Sequence, residues 1–182
     1  MFIWLGIDVD NQLLEIKKKA NIIEKELNFN HSNFTLPFHI SLKMSFNLDD
    51  SLFEKVLDDV LSIYQAIKPF EVEVKGIENN HTICWIRMKE NEKLNEIHDL
   101  LNKHFLEKYN IPLHEYDLDY LFHTTLFMDE DENKINQAYL LIKNSSLPKL
   151  LRVNKMIIGG SPSGALGTYK VFKEITLDSS KD

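Results

Sequence analysis

His39-Ile40-Ser41-Leu42 and His123-Thr124-Thr125-Leu126 are the two stretches on which the reading of this chain turns. Each lies in a β-prone apolar run, Phe38 to Phe46 and Leu121 to Met128, so each is predicted to be a strand. Side chains alternate along a strand. His39, Ser41 and Lys43 therefore share one predicted face, and Ile40, Leu42 and Met44 the other. In the second strand His123 and Thr125 share a face, with Phe122, Thr124 and Leu126 opposite. Each motif sets an imidazole beside a hydroxyl and backs both with apolar anchors.

Outward from the motifs the order of elements repeats. Before the first comes an apolar strand, Phe2 to Val9, and an amphipathic helix at about 11–28 with Leu13, Ile16, Ala20, Ile23 and Leu27 at helical spacing. Asp10 is its expected cap, and a polar connection through Asn28, Asn30, His31, Ser32 and Asn33 follows. After the motif, Asp49 or Asp50 caps a helix with Val56, Val60 and Tyr64 on its buried face. A strand with Phe70, Val72, Val74 and Ile77 comes next, and Glu78-Asn79-Asn80 reads as a turn. The second round runs through a strand at 82–88, a helix at about 91–109, the motif strand, a helix at about 132–143 and a strand from Leu150 to Ile158. A Gly/Pro/Ser-rich loop, Gly159 to Gly167, leads to a last strand at about 168–177. Each half reads strand, helix, strand, helix, strand, with the motif on its middle strand. The expectation is one α+β domain over 1–182 with two lobes, roughly 1–79 and 80–178, that face each other and bring the motifs together across a cleft.

The 182 residues suffice for such a core, and 43% hydrophobic with 27% charged residues is an ordinary globular balance. Apolar stretches are too short to span a bilayer, and no basic-then-apolar leader opens the sequence. Cys84 is the single cysteine, which rules out an internal disulfide and makes the cytoplasm the default compartment. A net charge of −7 argues against coating long nucleic acid. It leaves room for one small phosphorylated ligand held by local donors. Lys17, Lys18 and Lys19 fall within a helical pattern and read as a solvated face.

A histidine–hydroxyl pair repeated twice suits phosphate ester cleavage. Histidine titrates near neutrality, so one copy can wait as base and the other as acid. Hydroxyls can donate to the non-bridging oxygens. Such a scheme needs no metal, and Lys43, if it reaches the cleft, adds positive charge.

The paired motifs resemble those of the two-histidine (2H) phosphoesterase superfamily, which includes bacterial RNA 2′,3′-cyclic phosphodiesterases, also called 2′-5′ RNA ligases. The likeness covers nearly the whole chain in length, motif spacing and element order, while the literal match is confined to the motifs. It implies a bilobal α+β fold with two antiparallel sheets around a cleft. It also implies metal-independent, cofactor-free hydrolysis of a cyclic phosphate or phosphodiester, typically on a nucleotide or RNA end. Carried over, His39 is the proton donor, His123 the acceptor, and Ser41 and Thr125 hold phosphate. Ser41 stands where threonine is more usual, Met44-Ser45-Phe46 replaces a different aromatic-Leu-Gly sequence, and an acidic run, Asp129 to Glu132, follows the second motif.

Taken alone, a strand histidine is more often structural than catalytic, and the paired context is what reverses that reading. His31, His81, His98, His104 and His114 read as structural or exposed. No convergent set of three or four zinc ligands is evident. Among aromatic residues that could stack on a base, Phe2, Trp4 and Trp85 sit in apolar strands and read as core; Tyr169, after the Gly-rich loop, is the better candidate. That loop lacks a P-loop signature and reads as a flexible connection at the cleft edge. Two other functions compete: a non-catalytic module that binds a nucleotide or RNA end in the same cleft, and an interaction protein whose histidines are incidental.

Overall fold

A computed structural model describes residues 1–29, 36–165 and 167–178. The predicted connection through Asn30, His31, Ser32 and Asn33 lies outside the described residues. Among those described are four α-helices and two four-stranded, fully antiparallel sheets, so the fold class is α+β as expected. The order along the chain is β1 (Phe2–Asp8), α1 (Leu14–Glu26), β2 (His39–Asn47), α2 (Phe53–Gln65), β3 (Phe70–Asn80), β4 (Ile83–Met88), α3 (Glu92–Tyr109), β5 (His123–Met128), α4 (Glu132–Ile142), β6 (Leu150–Val153), β7 (Lys155–Ser161) and β8 (Lys170–Thr176). None of the described helices is long and apolar enough to cross a membrane.

The first sheet has the order β2-β1-β7-β8 and the second β5-β4-β3-β6. The sheets therefore do not divide the chain near residues 79 and 80. β3 pairs with β4 and β6, while β7 and β8 return to β1. The run expected as one strand from Leu150 to Ile158 is two. It leaves the second sheet at Val153, turns at Asn154, whose carbonyl accepts from the Leu177 amide at 2.9 Å, and enters the first sheet at Lys155. Glu78-Asn79-Asn80 is not a turn but the end of β3, paired with Trp85, Cys84 and Ile83; the reversal falls at His81, which takes a left-handed φ of 44°.

Helix starts follow local chemistry. Asn91 caps α3 by accepting from the Leu94 amide, and Asp131 caps α4 by accepting from the Asn133 and Lys134 amides. Asp49 accepts from the Ser51 amide at the short 3-10 turn that leads into α2. Asp10 does not cap α1; its carboxylate accepts from the Phe38 amide at 2.7 Å and pairs with Lys17, holding the entry to β2 against the start of the helix. Lys17 is thus committed, while Lys18 is a solvated partner of Glu15.

A single apolar core spans both sheets. Ile3, Leu5 and Ile7 of β1, Ile40 and Leu42 of β2, Ile86 of β4 and Leu126 of β5 are all buried in it, with Ala20, Val60, Leu101 and Ala138 closing it from the helices. Each fully buried aliphatic side chain of this kind contributes roughly 1.5–3 kcal/mol. The motif strands β2 and β5 are each the outer strand of their own sheet, and there the sheets meet. The buried Thr124 hydroxyl donates to the His39 carbonyl at 2.5 Å and ties one motif directly to the other.

Candidate active site

The two histidines are held in the same way. His39 Nδ1 lies 2.8 Å from the Pro37 carbonyl oxygen, and His123 Nδ1 lies 2.6 Å from that of Leu121. A carbonyl oxygen can only accept, so each Nδ1 carries its proton and donates. In both rings Nε2 is left as the nitrogen that can exchange a proton with a ligand. The tether spans two residues backward in each case, so the local backbone of each motif sets the ring.

Behind each ring lies a tryptophan from the neighbouring strand. Trp4 stacks on His39 with ring centroids 4.3 Å apart, and Trp85 lies 4.9 Å from His123. Room for the Trp4 indole comes from glycine: a Cβ on Gly159 would fall 2.4 Å from that ring, and one on Gly6 would fall 3.0 Å from it. Both tryptophans thus brace the site histidines; Trp4 is buried and Trp85 only partly so, and both lie outside the main apolar cluster in which the sequence reading puts them. Across the ladder the two rings differ. Asp8 stands opposite His39 and Arg87 opposite His123.

Burial pushes both imidazoles below their ordinary pKa. For His39 the Pro37 carbonyl and Asp8 oppose that shift, while His123 and Lys17 reinforce it. For His123 the Leu121 carbonyl opposes it and Arg87 reinforces it. The effect of His123 on His39 places the two rings within electrostatic reach.

Ser41 and Thr125 are partly exposed on the strand faces that carry His39 and His123, as the alternation predicts. Lys43 does not sit where the alternation puts it. The β1–β2 ladder shifts register on both sides of the Leu5–Lys43 pair, and the successive residues Leu42 and Lys43 are both buried. A bulge of this kind interrupts the two-residue period. Lys43 is 1% exposed, and its ammonium donates to Asp117 Oδ2 at 2.8 Å. The phosphate contact expected of Lys43 is therefore replaced by a buried ion pair.

Asp117 belongs to the segment that leads from α3 into β5, and it gathers a polar cluster. Its Oδ2 also accepts from the His114 amide at 2.9 Å, and His98 Nε2 faces its Oδ1 at 3.5 Å. Burial alone would raise the Asp117 carboxyl, but hydrogen bonds from His98, Lys43 and the His114 amide hold it well below the usual carboxylate range. His98 stacks on Tyr120 at 4.8 Å, and Tyr120, pushed up by burial, has the Ser41 hydroxyl as a partner. His98 is thus structural, as expected, and so are His104, bonded to Asp59 at 3.1 Å, and the turn residue His81. His114 caps the short turn at Glu115–Asp117. Sequence pattern did not reveal Asp117, Tyr120 or Arg87, because each depends on register across the sheet or on a contact distant in sequence.

Tyr169 meets the first motif strand, with its hydroxyl 3.0 Å from Ser45 Oγ. Gly159 and Gly160 are not loop but buried residues of β7. The loop that follows is knit by Ser161, whose hydroxyl accepts from the Gly164 amide at 2.8 Å and pairs with Thr168. Among the described residues no group of three or more His, Cys, Asp or Glu side chains is arranged to hold a metal ion.

Two antiparallel four-stranded sheets that meet at a pair of His-x-Ser/Thr strands, with four helices among the described residues, define the class as α+β. A family model described as the 2′-5′ RNA ligase superfamily matches residues 11–159. The chain belongs to that superfamily, and membership supports a phosphoesterase-type or RNA-end-processing role. Among solved structures it is similar to TT0787 of Thermus thermophilus, at 14% identity over 100% of both chains with a TM-score of 0.63. It is also similar to E. coli LigT complexed with 3′-AMP, at 15% identity over 96% of each chain with a TM-score of 0.57. A third structure, described as a phosphoesterase, is 13% identical over 96% of this chain and 97% of its own, with a TM-score of 0.56. At these identities the likeness is one of fold. Comparison with curated proteins gives no match.

Proposed function

We propose that this protein is a metal-independent phosphoesterase that hydrolyses a cyclic phosphate or phosphodiester of a nucleotide or RNA end. The observation that carries the reading is the pair of imidazoles on abutting strands, each with Nδ1 spent on a backbone carbonyl and Nε2 left for proton exchange. His123, with Arg87 across the ladder favouring its neutral form, takes the proton of the attacking water. His39, with Asp8 across the ladder favouring its charged form, gives a proton to the leaving oxygen. The new P–O bond forms as the bond to the leaving oxygen breaks, and Ser41 and Thr125 donate to non-bridging oxygens. The product is a phosphate monoester when the substrate is a cyclic diester. His39 ends neutral and His123 protonated, and exchange with solvent resets them. A fold similar to this one holds 3′-AMP and phosphate in E. coli LigT, which supports a nucleotide-type ligand.

The test is turnover of nucleoside 2′,3′-cyclic monophosphates by wild type, His39→Ala and His123→Ala in excess chelator. Chelator-resistant turnover lost in both variants supports the reading. Turnover retained in either variant refutes the site. Nucleotide binding without turnover of cyclic or 2′-5′ linked substrates turns the assignment to a binding module.

A further inference from the structure

With Lys43 committed to Asp117, the motif strands themselves bring no free cation to a bound phosphate. One stands beside them. Arg87 lies on β4 directly opposite His123. Directly opposed residues of an antiparallel pair project from the same face of the sheet. Trp85, two residues before Arg87, packs against the His123 ring, which identifies that face as the one bearing the site.

Arg87 is half-buried, and among the described residues it forms no ion pair. Its hydrogen bond is from Nε to the carbonyl of its own neighbour Met88, at a long 3.3 Å. Glu78, the acid that senses it, is paired with Lys75 at 2.8 Å. A guanidinium has five N–H donors in a rigid fork that matches two oxygens of a phosphate. Among the described residues the terminal donors have no protein acceptor, and a half-buried guanidinium in that condition has unmet bonding capacity. On the other half-site the group opposite the histidine is a carboxylate, Asp8, already held by Lys155 at 3.1 Å. The positive charge available to an anion is therefore concentrated on the His123 side.

We propose that Arg87 is a substrate-phosphate ligand, gripping two non-bridging oxygens from the β4 side while His123 addresses the attacking water. The inference rests on the phosphoesterase reading and adds to it the cation that the motifs lack. Neither motif contains it, which is why the linear sequence did not reveal it.

Inorganic phosphate is titrated into the ¹⁵N-labelled full chain of wild type, Arg87→Lys and Arg87→Gln, with the His39, His123 and Arg87 side-chain signals followed by NMR. Turnover of a cyclic nucleotide is measured in parallel. Phosphate should move the Arg87 Nε–Hε signal together with the two imidazoles. R87Q should weaken phosphate binding about tenfold or more, the effect of losing a charged hydrogen bond, and should raise KM; R87K should recover part of the affinity but not the fork geometry. Phosphate that binds wild type without moving Arg87, binds R87Q as tightly, or does not bind wild type at all overturns the proposal. The phosphoesterase reading fails on a separate observation: turnover that survives His39→Ala or His123→Ala.

Discussion

The two half-sites share a plan down to a defect in their strands. In each, the histidine is tethered through Nδ1 to the carbonyl two residues back, a tryptophan supports the ring, and the ladder slips register next to the motif. Each slip buries two successive residues, Leu42 and Lys43 in β2 and Leu126 and Phe127 in β5. At the second of these positions the halves part company. Phe127 packs on Phe29 with ring centroids 5.3 Å apart, an ordinary apolar plug. Lys43 instead pairs with Asp117, at the base of the segment that delivers Leu121 and His123. The half that carries the buried charge thus anchors the approach to its partner. Across the ladder the asymmetry recurs as Asp8 against Arg87. A shared scaffold thus sets two similar imidazoles beside unlike charges.

The largest expected effect concerns the donor and acceptor roles proposed for the two imidazoles. His39→Ala and His123→Ala should each lower kcat on a cyclic nucleotide by about 10²–10⁴-fold. A nitrophenyl phosphodiester, whose leaving group needs no proton, should restore turnover in His39→Ala far more than in His123→Ala. Rescue of His123→Ala instead would exchange the two roles.

Next comes the contrast between Lys43 and Phe127. Lys43→Met leaves Asp117 buried without its partner and should cost about 3–5 kcal/mol in urea unfolding. Adding Asp117→Leu to it should return most of that loss, since removing both charges of a buried pair is often close to neutral. Phe127→Ala should cost about 3–5 kcal/mol by leaving a cavity, with no second-site charge removal able to restore it. Equal behaviour of the two sites would erase the distinction drawn between them.

A smaller effect separates the ring supports. Gly159→Ala places a methyl group against the Trp4 indole and should cost about 1–3 kcal/mol by overpacking. His39 resonances should move and those of His123 should not.

The smallest effect is electrostatic. Both imidazoles should titrate below about 6.5, as burial dictates, and Asp8→Asn should lower His39 further without moving His123. The sign for stability follows from proton counting: below about 6.5 the unfolded histidines bind more protons than the folded ones. The histidines' contribution is therefore present above that value and is lost as pH falls toward the depressed folded pKa values. An NMR titration beside pH-dependent urea unfolding checks both statements.

Much of this architecture was legible in the sequence where periodicity is local. The α1, α2, α3 and α4 helices fall within the predicted runs, and His39, Ser41, His123 and Thr125 sit on the faces that alternation assigns. What escaped needs information from across the sheet. Alternation cannot anticipate the slip that turns Lys43 inward, because the slip is set by the pairing with β1. Leu150 to Ile158 reads as one apolar strand because the apolar residues of β6, buried at Leu151 and Val153, run on with a break of only Asn154 into the almost wholly buried β7. Glu78-Asn79-Asn80 has turn composition, yet its backbone is fixed by β4. Arg87 gains its significance from the residue opposite, which no linear motif records.

The route of the chain between the sheets has a consequence for its birth on the ribosome. β1 and β2 are made before the second sheet, but the other side of β1 is covered by β7, which is synthesised after that whole sheet. Until Lys155–Ser161 emerges, the apolar run of β1 presents an open edge to whatever is nearby, a hazard for any unpaired strand. The second sheet, whose strands are consecutive from β3 to β6, can pair as it is made. The second sheet is therefore expected to form first, with β1 waiting for β7 to complete its own sheet.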